Sequence, residues 1–360
     1  MKSFFKFASV LLILFAAVIG IANENYQVVL LGDLHYDAED IREGVDKLTP
    51  SRQREMRRNL AAWKENIPAL LKSAASYANK NDVLFTVQCG DITQGDEGKY
   101  EFAVTSFERV LKLVTNDHTK PVYVVRGNHD CRGKGKQKAC ADVLWKYMKK
   151  QDVVFPQPKS SQTCYKIVGK DLFIFFDAMK ANPQVIESAL KAKPDARHIF
   201  FVTHIPVMPC LFKPGNIAWI CGGSKYNSQI RTLLAKHNVI VLAAHTHVTT
   251  YFNWKMPEGS LKQFVSFSIV RDPAAKPEKI TISGEKYFKD FEEYYYPKLG
   301  KKDRDDLHNF LKNYVGKLDH CVHYKNTAGF NVLRVEGDKV FIDIYSGSTP
   351  DKKFCTVPVK

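Results

Sequence analysis

Seven residues of metal-ligand type stand at five points of this sequence, each shortly after an apolar run. Asp33 and His35 follow Gln27 to Leu31, and Asp91 follows Val83 to Val87. Asn128 closes the run that starts at Val122, with His129 and Asp130 directly behind it. His204 follows Ile199 to Thr203, and His245 and His247 follow Val239 to Ala243. Imidazole nitrogens mixed with carboxylate and amide oxygens, without thiolate, suit Fe, Zn or Mn better than Ca or Mg. Two carboxylates, one amide and four histidines exceed what one ion needs. Two ions sharing a bridging carboxylate, about 3.5–4 Å apart, fit better. Such a pair lowers the pKa of a shared water and clamps a phosphoryl group for in-line attack. His129 titrates near neutrality and points away from its neighbour Asn128, so it is free to face a substrate. The i, i+2 spacing of Asp33 and His35 is read as placing both on one face of extended backbone, and His245 and His247 repeat that spacing. The chain has only 11 histidines, so a ligand at each of five strand ends is too regular for a set of caps and turns.

The elements needed to hold these residues are legible as alternating strands and helices. Between the strand runs, helical periodicity covers Met56 to Lys80, with a break expected at Pro68. It also covers Tyr100 to Val114 and Tyr226 to His237. Leu172 to Phe176 is a further strand. The alternation implies an α/β fold with a mostly parallel sheet and helices outside, and in such sheets the chemistry sits at the C-terminal rim of the strands. After Trp254 the pattern changes. Strands are expected at Phe264 to Ile269 and Ile280 to Ser283, within and beside an aromatic, charged insertion at about 271–326 with a helix at Arg304 to Val315. A β-hairpin at about 330–346 then returns to the main sheet.

Asp33-x-His35, Gly90-Asp91, Gly127-Asn-His-Asp130, His204 and Ala244-His-Thr-His247, in this order, resemble the calcineurin-like metallophosphoesterase superfamily. The match spans residues 32–247. The resemblance implies a fold of two packed mixed β-sheets flanked by helices, and hydrolysis of a phosphate ester by hydroxide held between two metal ions. It implies that Asp33, His35, Asp91 and His247 hold one ion and that Asp91 bridges to a second held by Asn128, His204 and His245. His129 would contact the phosphate and assist the leaving group. Three departures stand out. Ala244 replaces a frequent glycine. Gln94 stands where purple acid phosphatases carry tyrosine, which argues against a charge-transfer purple centre. The protein Ser/Thr phosphatases carry at that position an aspartate that supports the catalytic histidine, so the support for His129 must come from elsewhere, with Asp130 and Asp37 as candidates.

The remaining features bear on setting and substrate. Lys2 and Lys6 precede the apolar run Phe7 to Ile21, and Gly20-Ile-Ala22 offers small residues for cleavage. This reads as a signal peptide, residues 1–22, cut after Ala22, with a secreted or periplasmic product. No other run is long and apolar enough to span a bilayer. Eight cysteines fit an oxidising compartment. The favoured bridges are Cys131–Cys140 and Cys210–Cys221, with Cys321–Cys355 a weaker choice. A hydrophobic content of 45% excludes a disordered chain, and a formal net charge of +15 favours an anionic phosphate-ester partner. Arg132, Lys134, Lys136 and Lys138 are expected to form a cationic collar at the metal rim, with insertion aromatics as a second wall that suits a nucleotide. No basic stripe interleaves with aromatics, so no stable nucleic-acid partner is expected. The competing readings are a nuclease and a non-catalytic metal- or nucleotide-binding surface protein on the same fold. Nothing in the sequence fixes an oligomeric state.

Overall fold

The computed structural model describes residues 25–157, 161–208, 227–290 and 318–360, with short stretches at 210–211, 218–219 and 292–293. Strands β1 (Asn25–Leu31), β2 (Val83–Gln88) and β3 (Val122–Val124) alternate with helices α1 (Pro50–Glu65), α2 (Ile67–Lys80) and α3 (Tyr100–Thr115). The break between α1 and α2 falls at Asn66. Pro68 sits in the first turn of α2, where its missing N–H costs no helical hydrogen bond. Short helices α4 (Lys136–Cys140) and α5 (Lys146–Lys149) follow, then β4 (Cys164–Val168), β5 (Asp171–Phe176), α6 (Pro183–Ala192) and β6 (Ile199–Thr203). A small hairpin, β7 (Cys210–Leu211) with β8 (Ala218–Trp219), precedes α7 (Asn227–Lys236) and β9 (Ile240–Ala243). The chain continues through β10 (Thr249–Met256), β11 (Gly259–Val265), β12 (Glu278–Ser283), α8 (Gly284–Asp290) and β13 (Leu318–Lys325). It closes with β14 (Gly329–Glu336), β15 (Lys339–Ser346) and β16 (Cys355–Pro358). The helix expected at 304–315 and the leader at 1–22 lie outside the described residues.

These strands form two packed mixed sheets rather than one mostly parallel sheet. The first has the order β16-β15-β14-β1-β2-β3, and the second β12-β13-β10-β11-β9-β6-β5-β4. Parallel pairing is confined to β1, β2 and β3 in one sheet and β5, β6, β9 and β11 in the other. The closing hairpin joins the first sheet by pairing β14 antiparallel to β1. Hydrophobic runs without alternation explain why the sheets are covered on both faces. In β5, Phe173 and Phe175 point between the sheets, where Phe173 meets Phe85 and Phe200 at ring separations of 5.1 and 4.6 Å. Leu172, Ile174 and Phe176 point the other way, into a second core with Ile186, Ile230 and Leu234 of the covering helices.

Three differences from the sequence expectations have physical causes. β10 has no continuous hydrophobic run, because polar residues interrupt it. The strand expected at Phe264 to Ile269 ends at Val265, where Ser266 and Ser268 leave the ladder to bond Asn331 and the Gly32 amide. β3 stops at Val124, two residues early, because Arg126 turns into the interior to pair with Asp177. There Arg126 Nε donates to Asp177 Oδ1 at 3.0 Å, with a second bond from Nη2 to Oδ2. Both side chains are buried, so removing one leaves the other charge without a partner. Asp177→Ala is expected to lower unfolding stability by about 3–5 kcal/mol, read as a fall in the urea midpoint. A shift below about 1 kcal/mol would show that water reaches the pair.

Candidate metal centre

The loops after β1, β2 and β3 of one sheet and β6 and β9 of the other converge on a single cluster. Close approach of these loops needs glycine. A Cβ at Gly127 would overlap Asp91 Oδ1 and the Asp91 amide, and one at Gly90 (φ +93°) would lie 2.6 Å from His204 Cβ. Among the described residues seven non-glycines have positive φ, and four of them are His35 (47°), Asp91 (51°), His245 (75°) and His247 (55°). Each such backbone costs about 1–3 kcal/mol, and concentration of that strain at one place marks a functional site. It also corrects the reading of the i, i+2 pairs. His35 is not on extended backbone, and His245 and His247, both left-handed, diverge into different groups.

Asp33, His35 and His247 form one group, and Asp91, His204 and His245 another. In the first, His35 Nε2 faces His247 Nε2 at 3.0 Å, and Asp33 Oδ1 lies 3.7 and 3.6 Å from these two nitrogens. In the second, His204 Nε2 lies 3.1 Å from Asn128 Oδ1, 3.0 Å from His245 Nδ1 and 3.1 Å from Asp91 Oδ2. Asp91 Oδ2 is also 3.8 Å from His35 Nε2, so this carboxylate stands between the groups. All seven residues are thus brought together, with His35 and His204 buried and His245 and His247 partly open to solvent.

Main-chain carbonyls orient the rings. His204 Nδ1 donates to Cys89 O at 3.0 Å, which turns Nε2 to the cluster. His129 Nδ1 donates to Gln94 O at 2.7 Å, and its Nε2 faces His35 and Asp91. Burial opposes charge on His204, yet the Asp91 carboxylate outweighs it and lifts the pKa to about 9. Burial holds His35 and His245 well below the ordinary histidine value, helped by neighbouring imidazoles. His129 is pushed the same way by burial and then by Arg132. Asp33 is held below the usual carboxylate range, because His247, His204 and His245 outweigh the opposing effect of burial.

The support of His129 is therefore the Gln94 carbonyl, and neither candidate carboxylate serves. Asp130 is occupied by the Gly127 and Thr93 amides and the Thr93 hydroxyl, at 2.8–3.0 Å, which ties the β3 loop to the β2 loop. Asp37 pairs with Arg42. Glu55 is the residue of the site that carried no sequence signal, whereas Arg132, expected at the metal rim, lies there. Arg132 Nη1 lies 3.0 Å from His129 Nε2, and Glu55 of α1 accepts from Arg132 Nη2 at 3.1 Å. Of the expected cationic collar Arg132 reaches the cluster, but Lys136 and Lys138 do not. Lys136 is fully buried, paired with Glu97 and set over the Phe107 ring, while Lys138 turns to Asp142 and Tyr100. Nor do Tyr287 and Phe288 form a second wall, since they pack against Trp254 in the second core.

The described cysteines are all free thiols. Cys131 and Cys140 touch through a side-chain hydrogen bond without being bridged. Cys321 is buried in the second core with Cys210, whereas Cys355 lies on an edge strand of the other sheet, so these two do not pair. Cys221 lies outside the described residues.

A family model described as calcineurin-like phosphoesterase matches residues 26–249. The chain belongs to this family. No curated protein sequence matches it. Solved structures with the same fold include a purple acid phosphatase from yellow lupin (Lupinus luteus) seeds, with TM-score 0.52 and 11% identity. That match covers 93% of this chain and 53% of the lupin chain, so the chain spans about half the length of that relative. A dimetal phosphatase from Danio rerio matches with TM-score 0.53 and 12% identity over 93% of this chain and 99% of its own. PhoD matches with TM-score 0.54 and 10% identity, over 94% and 69%. At these identities the likeness is one of fold, two mixed sheets flanked by helices.

Proposed function

We propose that the protein is a metal-dependent phosphoric ester hydrolase with a dinuclear centre of Fe, Zn or Mn. Asp33, His35, Asp91 and His247 would hold one ion, and Asp91, Asn128, His204 and His245 the other. The observation that carries this reading is the position of Asp91 Oδ2 between two groups that share no other residue. The donor set fits. Asp33 Oδ1 is buried without a hydrogen-bond partner, and Nε2 atoms of His35 and His247 confront each other where a cation would relieve them. When bound, such ions generate a nucleophile at neutral pH and stabilise charge on the phosphoryl oxygens.

The chain's own contribution is positional. Asp91 Oδ1 accepts the His129 amide at 2.7 Å, so the carboxylate that would bridge the ions also fixes the loop that carries His129. Because Nδ1 of His129 is engaged by Gln94, Nε2 is the atom through which a proton reaches the leaving oxygen. Arg132 competes for that nitrogen and, held by Glu55 and Asp96, stays at the edge of the site. The substrate is a phosphate ester, monoester or diester, with nucleotides in the class. The apolar run behind Lys2 and Lys6 supports an exported protein, and an oxidising compartment would join the adjacent Cys131 and Cys140 thiols.

His129→Ala is expected to leave metal content intact and to lower turnover of alkyl phosphates by about 10²–10⁴-fold, with a smaller loss for aryl phosphates that need less protonation. Steady-state rates on both substrate types, beside metal analysis, check this. Equal losses on the two would remove the leaving-group role.

A further inference from the structure

Next to the cluster, the guanidinium of Arg271 is held in place without a carboxylate partner among the described residues. Its Nη2 donates to Asn59 Oδ1 at 3.1 Å, and its Nε is buried with no acceptor. The group lies 5.6 Å from the Phe267 ring centre, and Phe267 in turn stacks on His247 at 5.3 Å and 19°. Asp33 and Glu55 act on Arg271 across the site, but neither comes within ion-pair distance of it. Asp272 Oδ1 accepts the Ala274 amide, and Glu55 holds Arg132. Arg58, exposed on α1, is close enough to repel Arg271, which together with burial brings the Arg271 pKa down to about 10. A cavity of about 300 Å³ runs from His247 past Phe267 and Arg271 to Tyr324 and Ser346. That size is at the lower end for a small-ligand pocket.

A desolvated guanidinium with no carboxylate in contact is poorly compensated unless a ligand supplies the charge. The planar fork of arginine matches a carboxylate or a phosphate. We infer that Arg271, with Arg58 beside it, binds a second anionic group of the substrate, distinct from the phosphate that is hydrolysed. The body of the substrate then lies in the cavity along Phe267, one ring's breadth from His247. The preferred class is phosphate esters that carry a further carboxylate or phosphate. This inference rests on the phosphoesterase reading of the cluster.

The test compares 3-phosphoglycerate with glycerol 3-phosphate, which differ by one carboxylate, as ligands and substrates of the metal-loaded protein. Calorimetric titration should show 3-phosphoglycerate binding about tenfold or more tightly to the wild type. Arg271→Ala should erase that preference while changing glycerol 3-phosphate binding less than about threefold and leaving metal content unchanged. Arg58→Ala, on an exposed helix face, should reduce the preference partly and in a salt-dependent way, and it serves as the second variant if Arg271→Ala does not fold. A preference that survives both changes, or equal weakening of both ligands, overturns the inference. Carboxylate-dependent binding with no hydrolysis of either ester would refute the phosphoesterase reading and leave the anion site standing. Hydrolysis of both without a carboxylate preference would do the reverse.

Discussion

Asp91→Ala is expected to lower hydrolysis of 4-nitrophenyl phosphate by about 10³-fold or more. Two contributions add. The carboxylate that faces both His35 and His204 disappears, leaving each of the two groups one oxygen short. The acceptor of the His129 amide disappears as well, which releases the loop that carries the proton-transfer residue. Asp91→Asn separates these effects. It keeps an oxygen for the His129 amide but removes the charge, so it should retain the loop and still lose most of the activity. If Asp91→Asn behaves like the wild type, the carboxylate does not bridge.

Gly127→Ala is the second large effect, and it adds only a methyl group. That methyl would overlap Asp91 Oδ1 and the Asp91 amide, both parts of well-packed backbone and site. Neither can yield without moving the carboxylate, and a displacement near 1 Å costs on the order of 10²-fold in rate. The variant should therefore fold, since the β3 ladder ends at Val124, but lose about 10²-fold or more in turnover together with part of its metal. Circular dichroism and rate measurement on the same preparation check this. Full activity in Gly127→Ala would mean that the β2 and β3 loops stand further apart than described here.

What the sequence revealed and what it hid follow from the same physics. Ligand types at strand ends were legible because each follows an apolar run, and the sheets bring those ends together whatever the intervening loops do. The backbone at those ends was not legible. An i, i+2 spacing suggested extended chain, yet His35, His245 and His247 take left-handed conformations, a strain that only surrounding packing can maintain. The orientation of His129 was hidden for a different reason, since its partner is the Gln94 carbonyl and main-chain oxygens carry no side-chain signature. Charge counting misplaced Lys136, because burial against Phe107 and pairing with Glu97 depend on contacts 29 and 39 residues away. Arg271 opens an aromatic insertion and belongs to no motif, yet Tyr287 and Phe288 of that insertion build core while Arg271 faces the cavity.

Elemental mass spectrometry of the purified chain counts the ions that Asp91 would bridge. Close to two transition-metal ions per wild-type chain and at most one in Asp91→Ala are expected, with phosphate release rising and falling with occupancy. A wild-type protein that hydrolyses phosphate esters at full rate with one tightly held calcium ion, or with no metal at all, would contradict the bridged pair.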